Sequence, residues 1–420
     1  MAHDECPPKR TRTPPVLVSA SINDLDEELL SEILKRLPSA KQTTACKLVS
    51  KNWCSLISTP FFVSRFVDHY HKRHPDEPTP YAFITTSFGD DCAKLFVHDH
   101  AYKSSESLMK LASYLPSTYH PGLKYCLSKI ITSCNDLLLC SSQLHSKLYY
   151  IFNPQTKKAM PLPPFTTEDP SPLIVGLVCH NQKQSFRVVR IREVESTSKL
   201  LIAVETYCRE VNKWDEVVLE PRPDQFRFGY SSCKLGFTYS TSAFSWNGFM
   251  HWLSKDNKTV VYNPYKPGLF SMIDNPASGN GCLGASQGSL VFFLLVDMGD
   301  ASAAQIWELT DYNTTQWIIK HSVPLKQLCK SLKDPLVFDS EDPSELTKDL
   351  KLLSVDPNEN HIVYLANFGK LYLCDLKRKE LEVANSSALD GIGSDRYGNG
   401  AVHLMFPSWP TTIPAVCPNT

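Results

Sequence analysis

Residues 22–62 read INDLDEELLSEILKRLPSAKQTTACKLVSKNWCSLISTPFF. Leu25, Leu29, Leu30, Ile33, Leu34 and Leu37 recur at the three- and four-residue spacing of one helix face. Pro38 stops the run, because it lacks the amide proton a helix interior needs. Asp24 is placed to cap this helix, and Asp26, Glu27 and Glu28 complement its positive end. Pro38-Ser39 opens a second amphipathic stretch that closes on Val49, Trp53, Leu56 and Ile57. Thr59-Pro60 reads as the end of the bundle, with Phe61, Phe62, Phe66 and Tyr70 forming one more amphipathic turn. So small a set of helices carries more apolar surface than it can bury by itself. A partner helix is the natural cover for the excess.

Outward from this stretch the chain changes character twice. Residues 1–20 hold Pro7, Pro8, Pro14 and Pro15 around Lys9, Arg10 and Arg12, and read as a disordered leader. The basic quartet Lys9-Arg10-Thr11-Arg12 could assist nuclear import. The bundle is assigned to residues 21–66. Residues 67–80, ending in the polar, proline-punctuated HKRHPDEPTP, are read as a linker. From residue 81 to 420, short β-rich runs recur between turns: YAFITT, KLFVH, LYYIFN, FRVVRI, LLIAVETY, FMHWL, TVVYNP, SLVFFLLV, QWIIK, HIVYLA and KLYLCDL. Without a long amphipathic helix among them, they predict an all-β domain.

A repeated unit runs through these strands. A polar turn opens an apolar strand, and a second strand then ends in an aromatic residue, Asn or Asp, and a turn. Asn135 to Cys140 leads to Tyr149-Tyr150-Ile151-Phe152-Asn153-Pro154, and Trp246 to Trp252 leads to Val260-Val261-Tyr262-Asn263-Pro264. Asn358 to Tyr364 leads to Leu371-Tyr372-Leu373-Cys374-Asp375-Leu376, and Gly288 to Leu295 leads to Ile306-Trp307-Glu308-Leu309. The terminal Asn or Asp can bond the backbone of the turn that follows. Trp214 and Trp317 read as anchors of outer strands. Units of roughly 40 to 55 residues with about four strands each predict a radial β-propeller. We expect six blades, or seven. The whole is an α+β, multidomain chain: a small helical bundle followed by an all-β propeller.

Composition narrows the function. The 43 basic and 44 acidic residues nearly cancel, which argues against a general nucleic-acid binder. The longest strongly apolar run, Leu290 to Val296, is too short to span a bilayer, and residues 1–20 lack the apolar core of a secretory signal. Of the 14 cysteines no two form C-x-x-C, and many sit in apolar settings such as Leu139-Cys140 and Leu373-Cys374. They read as reduced small hydrophobes of a cytoplasmic or nuclear protein.

Several chemical motifs fail on context. Gly284-Ala285-Ser286-Gln287-Gly288 matches G-x-S-x-G, but a loop-like stretch precedes it and a strand follows, where a hydrolase needs a strand-to-helix turn. His69, His71 and His74, and separately His98, Asp99 and His100, lack further ligands at metal-site spacing. We therefore expect no metal, no cofactor and no catalytic residue. Trp246, Trp252, Tyr262 and Tyr265 fit packing between sheets, with a binding surface as the alternative.

The first segment resembles an F-box. The resemblance rests on Leu25, Glu28-Leu29-Leu30, Ile33-Leu34, Leu37-Pro38, Val49-Ser50-Lys51-Asn52-Trp53 and Leu56-Ile57. The remainder resembles the F-box-associated, kelch-like β-propeller of plant F-box proteins, through Phe152-Asn153-Pro154-Gln155-Thr156-Lys157, Met160-Pro161-Leu162-Pro163-Pro164, Phe186 to Ile191 and Val261-Tyr262-Asn263-Pro264. There are departures. Leu25-Asp26 stands where the family usually has Leu-Pro, and the double glycine of kelch blades and the GH…WD pattern of WD40 blades are absent. The resemblance implies a non-catalytic substrate receptor of an SCF-type (Skp–cullin–F-box) ubiquitin ligase. The F-box would dock to a Skp-family adaptor, through it to cullin and RING subunits, and the propeller would bind the target protein. The alternative is an F-box/propeller scaffold acting outside a cullin ligase. For the adaptor contact we expect Leu25, Leu29, Ile33, Leu34, Leu37 and Pro38, with Leu30, Val49 and Trp53 as bundle core. Neither nucleic acid nor membrane is an expected partner.

Overall fold

The computed structural model describes residues 22, 25–75, 77–78, 81–86, 92–99, 102–110, 128–142, 149–164, 174–180, 185–194, 201–220, 243–254, 257–268, 270–278, 280–296, 301–331, 351–367, 370–385, 402–405, 408–411 and 413. The proline-rich leader assigned to residues 1–20 lies outside them. The chain divides into two units, Met1–Pro75 and Asp76–Thr420.

The first unit is helical. It contains α1 (Glu27–Leu34), α2 (Ala40–Ala45), a 3-10 turn (Cys46–Leu48), α3 (Lys51–Ser58) and α4 (Pro60–Arg73). Each α-helix starts at an oxygen-bearing cap. Asp26 accepts from the Leu29 amide at 2.7 Å, Ser39 from Gln42 at 3.3 Å, Ser50 from Trp53 at 3.2 Å and Thr59 from Phe62 at 3.2 Å. The observed cap of α1 is Asp26, not Asp24, which lies outside the described residues. Asp26 has φ −66°, close to the value a proline ring imposes. The residue that replaces the family's proline thus keeps its backbone conformation and adds a cap.

Two expectations are corrected here. Thr59-Pro60 does not end the bundle. Thr59 caps α4 and Pro60 sits in its first turn, where a missing amide proton costs nothing. The helix then runs to Arg73, so much of the stretch read as a linker at 67–80 is helical. Leu30, Leu34, Trp53, Ile57, Phe62, Val63 and Phe66 form the buried interior. Burial of each such side chain contributes about 1.5–3 kcal/mol. Val49, expected in this core, is exposed.

The second unit is a β-propeller. Its strands are β1 (Tyr81–Thr86), β2 (Cys92–Asp99), β3 (Tyr102–Lys110), β4 (Ser128–Cys134), β5 (Leu137–Ser142), β6 (Tyr149–Asn153), β7 (Lys158–Pro161), β8 (Ile174–His180), β9 (Ser185–Val194), β10 (Leu201–Cys208) and β11 (Lys213–Leu219). They continue as β12 (Phe244–Trp246), β13 (Phe249–Leu253), β14 (Lys258–Tyr262), β15 (Phe270–Asp274), β16 (Asn280–Ser286), β17 (Ser289–Val296), β18 (Ala303–Asp311) and β19 (Gln316–Pro324). After a short helix α5 (Leu325–Lys330) come β20 (Lys351–Val355), β21 (Ile362–Asn367), β22 (Lys370–Asp375), β23 (Glu380–Asn385) and β24 (Val402–Met405).

The described strands form six antiparallel four-stranded sheets. Five are consecutive runs, β4–β7, β8–β11, β12–β15, β16–β19 and β20–β23. In the sixth, β24 pairs with β1, so a late strand completes the earliest sheet. The first strands of successive sheets adjoin one another, β24 to β4, β4 to β8, β8 to β12, β12 to β16 and β16 to β20. Sheet faces pack through buried apolar layers, for example Val178, Val189 and Ile191 of β8 and β9 against Met250, Trp252 and Val260 of β13 and β14. Gly176 of β8 makes room for this layer. A Cβ there would sit 1.7 Å from the Met250 terminal methyl.

The aromatic-Asn/Asp strand ends behave as read. Asn153 Oδ1 accepts from the Gln155 and Thr156 amides at 2.9 and 3.1 Å. Asp375 Oδ1 accepts from Lys377 and Arg378, both at 2.9 Å, and Asn263 Oδ1 from Tyr265 at 2.9 Å. Trp214 and Trp317 lie on the outer strands β11 and β19. Each indole donates into the neighbouring sheet, to the Pro163 and Asp274 carbonyls at 2.9 and 2.7 Å.

Candidate docking surface

The α1 helix separates its leucines into two rows one residue apart. Leu30 and Leu34 point inward, and Leu34 is only 2% exposed. Leu29 and Ile33 point outward, 52% and 46% exposed. Adjacent residues on a helix are turned by about 100°, so both rows satisfy the same spacing. Of the six residues expected at the contact, Leu29, Ile33 and Pro38 are exposed and Leu25 and Leu37 half-buried. Leu34 is corrected to the interior, because a side chain enclosed by its own bundle has no surface left for another chain.

Sequence reasoning missed other exposed apolar residues of the same unit. Leu48 is 91% exposed at the end of the 3-10 turn, Val49 follows it, and Phe61 is exposed on the first turn of α4. Apolar type alone cannot mark these, since most apolar residues of such a bundle face inward. Their signal is position: they fall beside caps, where the helical period restarts.

Charge collects at one edge of the unit. Glu32 of α1 meets Lys35 Nζ at 2.5 Å, Arg36 Nη2 at 3.6 Å and Arg65 of α4. The Lys35 hydrogen bond, followed by the charges of Lys35, Arg65 and Arg36, holds the Glu32 carboxyl below its ordinary value. Burial, then the charges of Lys35, Arg73 and Arg36, lower the His69 imidazole.

In the propeller the polar clusters sit inside sheet interfaces. Arg190 Nη1 lies 3.1 Å from Glu205 Oε2, Arg192 Nε 2.9 Å from Glu205 Oε1, and Arg192 Nη2 2.7 Å from Glu216 Oε2. Tyr81 and Tyr364 both donate to Asp356 Oδ2, which ties β1 to the sheet of β21. Burial raises both phenols. His251 is buried, its Nε2 2.9 Å from the Tyr312 hydroxyl, and burial pushes its imidazole down to about 4. The arginine–glutamate cluster links strands β9, β10 and β11 of one sheet, while the Tyr81–Tyr364–Asp356 and His251–Tyr312 clusters join one sheet to another. Trp252 and Tyr262 are buried in packing, while Trp246 and Tyr265 are half-buried, Tyr265 stacked 4.3 Å above the Arg187 guanidinium.

Ser286 ends β16 and is followed by Gln287 and Gly288 at φ 49° and 79°, a tight β-hairpin turn. A strand follows, so the nucleophile elbow of a hydrolase is not formed. His71 lies in α4 and His74 at its end. The side chains of His98, Asp99 and His100 lie outside the described residues. No group of three or more metal-ligating side chains converges among the described residues.

A capped helical bundle with an outward apolar row, followed by a β-propeller, defines an F-box protein of the propeller class. The F-box domain profile matches residues 22–65. The profile described as "F-box protein At3g26010-like, beta-propeller" matches residues 92–399, and the chain belongs to that family. Among curated relatives, the Arabidopsis thaliana F-box protein At5g07610 is 24% identical over 344 residues, 74% of this chain and 73% of that one. F-box protein At5g49610 of the same plant is 24% identical over 317 residues, 71% of this chain and 79% of that one. F-box domains generally bind Skp-family adaptors, and proteins of this family are generally of adaptor type rather than catalytic.

Proposed function

We propose that this protein is the substrate-recognition subunit of an SCF-type E3 ubiquitin ligase. Its F-box docks to a Skp-family adaptor, which connects it to cullin and RING subunits, and its propeller binds the target protein. The observation that carries the reading is the outward row Leu29–Ile33 on an F-box unit joined to a propeller. The contact comprises Leu25, Leu29, Ile33, Leu37 and Pro38, with Leu48 and Val49 added. No side chain of the receptor performs covalent chemistry. Tethering raises the concentration of target lysines near the charged conjugating enzyme, to about millimolar levels for short connections. We read the propeller as six-bladed and kelch-like in strand arrangement, a count supported by the six four-stranded sheets. The setting is cytoplasmic or nuclear, a reading supported by cysteines such as Cys140 and Cys374 buried as free thiols.

The test is reconstitution. The full chain, a plant Skp-family adaptor, cullin and RING subunits are combined with activating and conjugating enzymes. Ubiquitin chains should form on a captured target, and removal of residues 22–65 should abolish both adaptor association and transfer. Adaptor association without cullin recruitment would favour a scaffold outside the ligase. No association with any Skp-family adaptor would overturn the reading.

A further inference from the structure

The helical unit carries a basic surface that the apolar row does not explain. Just past the end of α1, Lys35 and Arg36 meet Glu32, and Arg65 of α4 reaches the same carboxylate. His69 and Arg73 follow Arg65 at four-residue intervals, which places all three on one face of α4. Arg73 Nη1 donates to the Arg36 carbonyl at 3.3 Å, so the ends of α1 and α4 meet. Lys35, Arg36 and Arg65 thus share the Glu32 carboxylate, and Arg73 joins them through the Arg36 carbonyl, so four cations stand around one carboxylate, a surplus of three positive charges. Asp68 lies four residues before Lys72, a spacing at which those two charges offset each other. The lowered His69 imidazole reports the same excess, after burial.

Helix dipoles account for only part of this arrangement. Cations are favoured at a helix C-terminus, which covers Lys35 and Arg36 just past α1 and Arg73 in the last turn of α4. Arg65 sits in the first half of the 14-residue α4, away from that end. The patch is also continuous with the docking row: Arg36 follows the exposed Ile33 by three residues and is itself exposed. Any chain that covers Leu29 and Ile33 passes beside it.

We propose that Arg36, Arg65 and Arg73 form the electrostatic half of the docking surface, and that the adaptor meets them with an acidic polypeptide segment beside its apolar groove. The proposal rests on the adaptor-docking reading above. Surface charge of this kind acts mainly on the encounter, raising the association rate by steering while the apolar contacts set dissociation. It acts over about 8 Å at physiological salt.

The experiment measures association and dissociation rates of the full chain with a purified plant Skp-family adaptor, from about 30 to about 300 mM salt, where the screening length falls severalfold. The variants are Arg36→Glu/Arg73→Glu, which leaves the Glu32–Arg65 pair intact, and Arg36→Lys/Arg73→Lys. The wild type should associate about tenfold more slowly at high salt, and the charge-reversed variant should start that low and respond weakly to salt. Dissociation should change by less than about twofold, and the lysine variant should follow the wild type. Unchanged helical circular dichroism shows that the variants are folded. A wild-type association rate indifferent to salt, or a charge-reversed variant that matches it, overturns the proposal while leaving the docking reading intact. Salt-insensitive adaptor association together with capture by phosphatidylserine vesicles would assign the patch to a membrane surface and overturns it too. No wild-type association at any salt overturns both, and is recognised by zero binding amplitude.

Discussion

The two rows of α1 make opposite predictions for residues that look alike in sequence. Leu34→Ala removes a side chain enclosed by the bundle, at a cost of about 3 kcal/mol in stability of the helical unit. Leu29→Ala and Ile33→Ala remove side chains already half in water, so the stability cost is about 1 kcal/mol each. At the interface the order reverses. If Leu29 and Ile33 are central contacts, each truncation weakens adaptor binding by about 2 kcal/mol, roughly 30-fold in Kd. Leu34→Ala acts on binding only through the folded fraction. With about 5 kcal/mol of starting stability, a 3 kcal/mol loss still leaves about 97% of the unit folded and Kd almost unchanged. Two measurements on the intact chain separate these effects. Hydrogen exchange at the Ile57 and Phe66 amides reports opening of the unit, and titration calorimetry with a Skp-family adaptor reports affinity. Leu34→Ala should lose protection by about two orders of magnitude and keep affinity, while Leu29→Ala and Ile33→Ala should lose protection only about fivefold and lose affinity. Weakened binding by Leu34→Ala at unchanged protection, with wild-type binding by Leu29→Ala and Ile33→Ala, would refute the assignment of the rows.

Three further outcomes concern the propeller. Glu205→Ala removes the buried carboxylate that both Arg190 and Arg192 meet, and should cost about 3–5 kcal/mol in urea unfolding. The triple replacement Arg190→Met/Arg192→Met/Glu205→Met should cost less than that single change. Tyr81→Phe removes the hydroxyl that joins β1 to Asp356 and Tyr364, and should lower stability by about 1–3 kcal/mol in the same assay. His251 has a folded pKa of about 4, below the ordinary value of 6.5, so the unfolded chain takes up its proton first as pH falls. Its contribution is complete above pH 6.5 and fades as pH drops toward 4, a loss of about 3 kcal/mol that His251→Gln should remove from the pH profile of the unfolding midpoint.

Each of the eleven runs read as strands from sequence overlaps a strand, and the reason is visible in β6, β14 and β17. Their centres are apolar without interruption because neighbouring sheets cover both faces. The strands that escaped lack that signature for physical reasons. The outer strand β11 keeps charged residues in water, and β3 reads YKSSESLMK. In β8 the apolar run is broken by Gly176, which is there for the approach of Met250 rather than for a turn. The extent of α4 was hidden by Thr59-Pro60, a pair that ends one helix and begins the next with equal ease.

The outward apolar row of the candidate docking surface was half legible, and the limit is one of phase rather than spacing. A helix that must both pack inward and present an apolar row outward carries two sets of leucines, and each set satisfies the same three-to-four periodicity. Spacing therefore located α1 and its apolar excess, but could not say which of Leu29–Ile33 or Leu30–Leu34 faces out. The answer depends on where α3 and α4 lie: α1 packs against α3 and α3 against α4, and Trp53, Ile57, Phe62 and Phe66 are buried along with Leu30 and Leu34. The basic patch was invisible along the chain for a related reason. Glu32 is separated from Arg65 and Arg73 by whole helices in sequence, and only the packing of α4 against α1 brings Arg65 onto the carboxylate that Lys35 and Arg36 already meet, and Arg73 onto the Arg36 carbonyl.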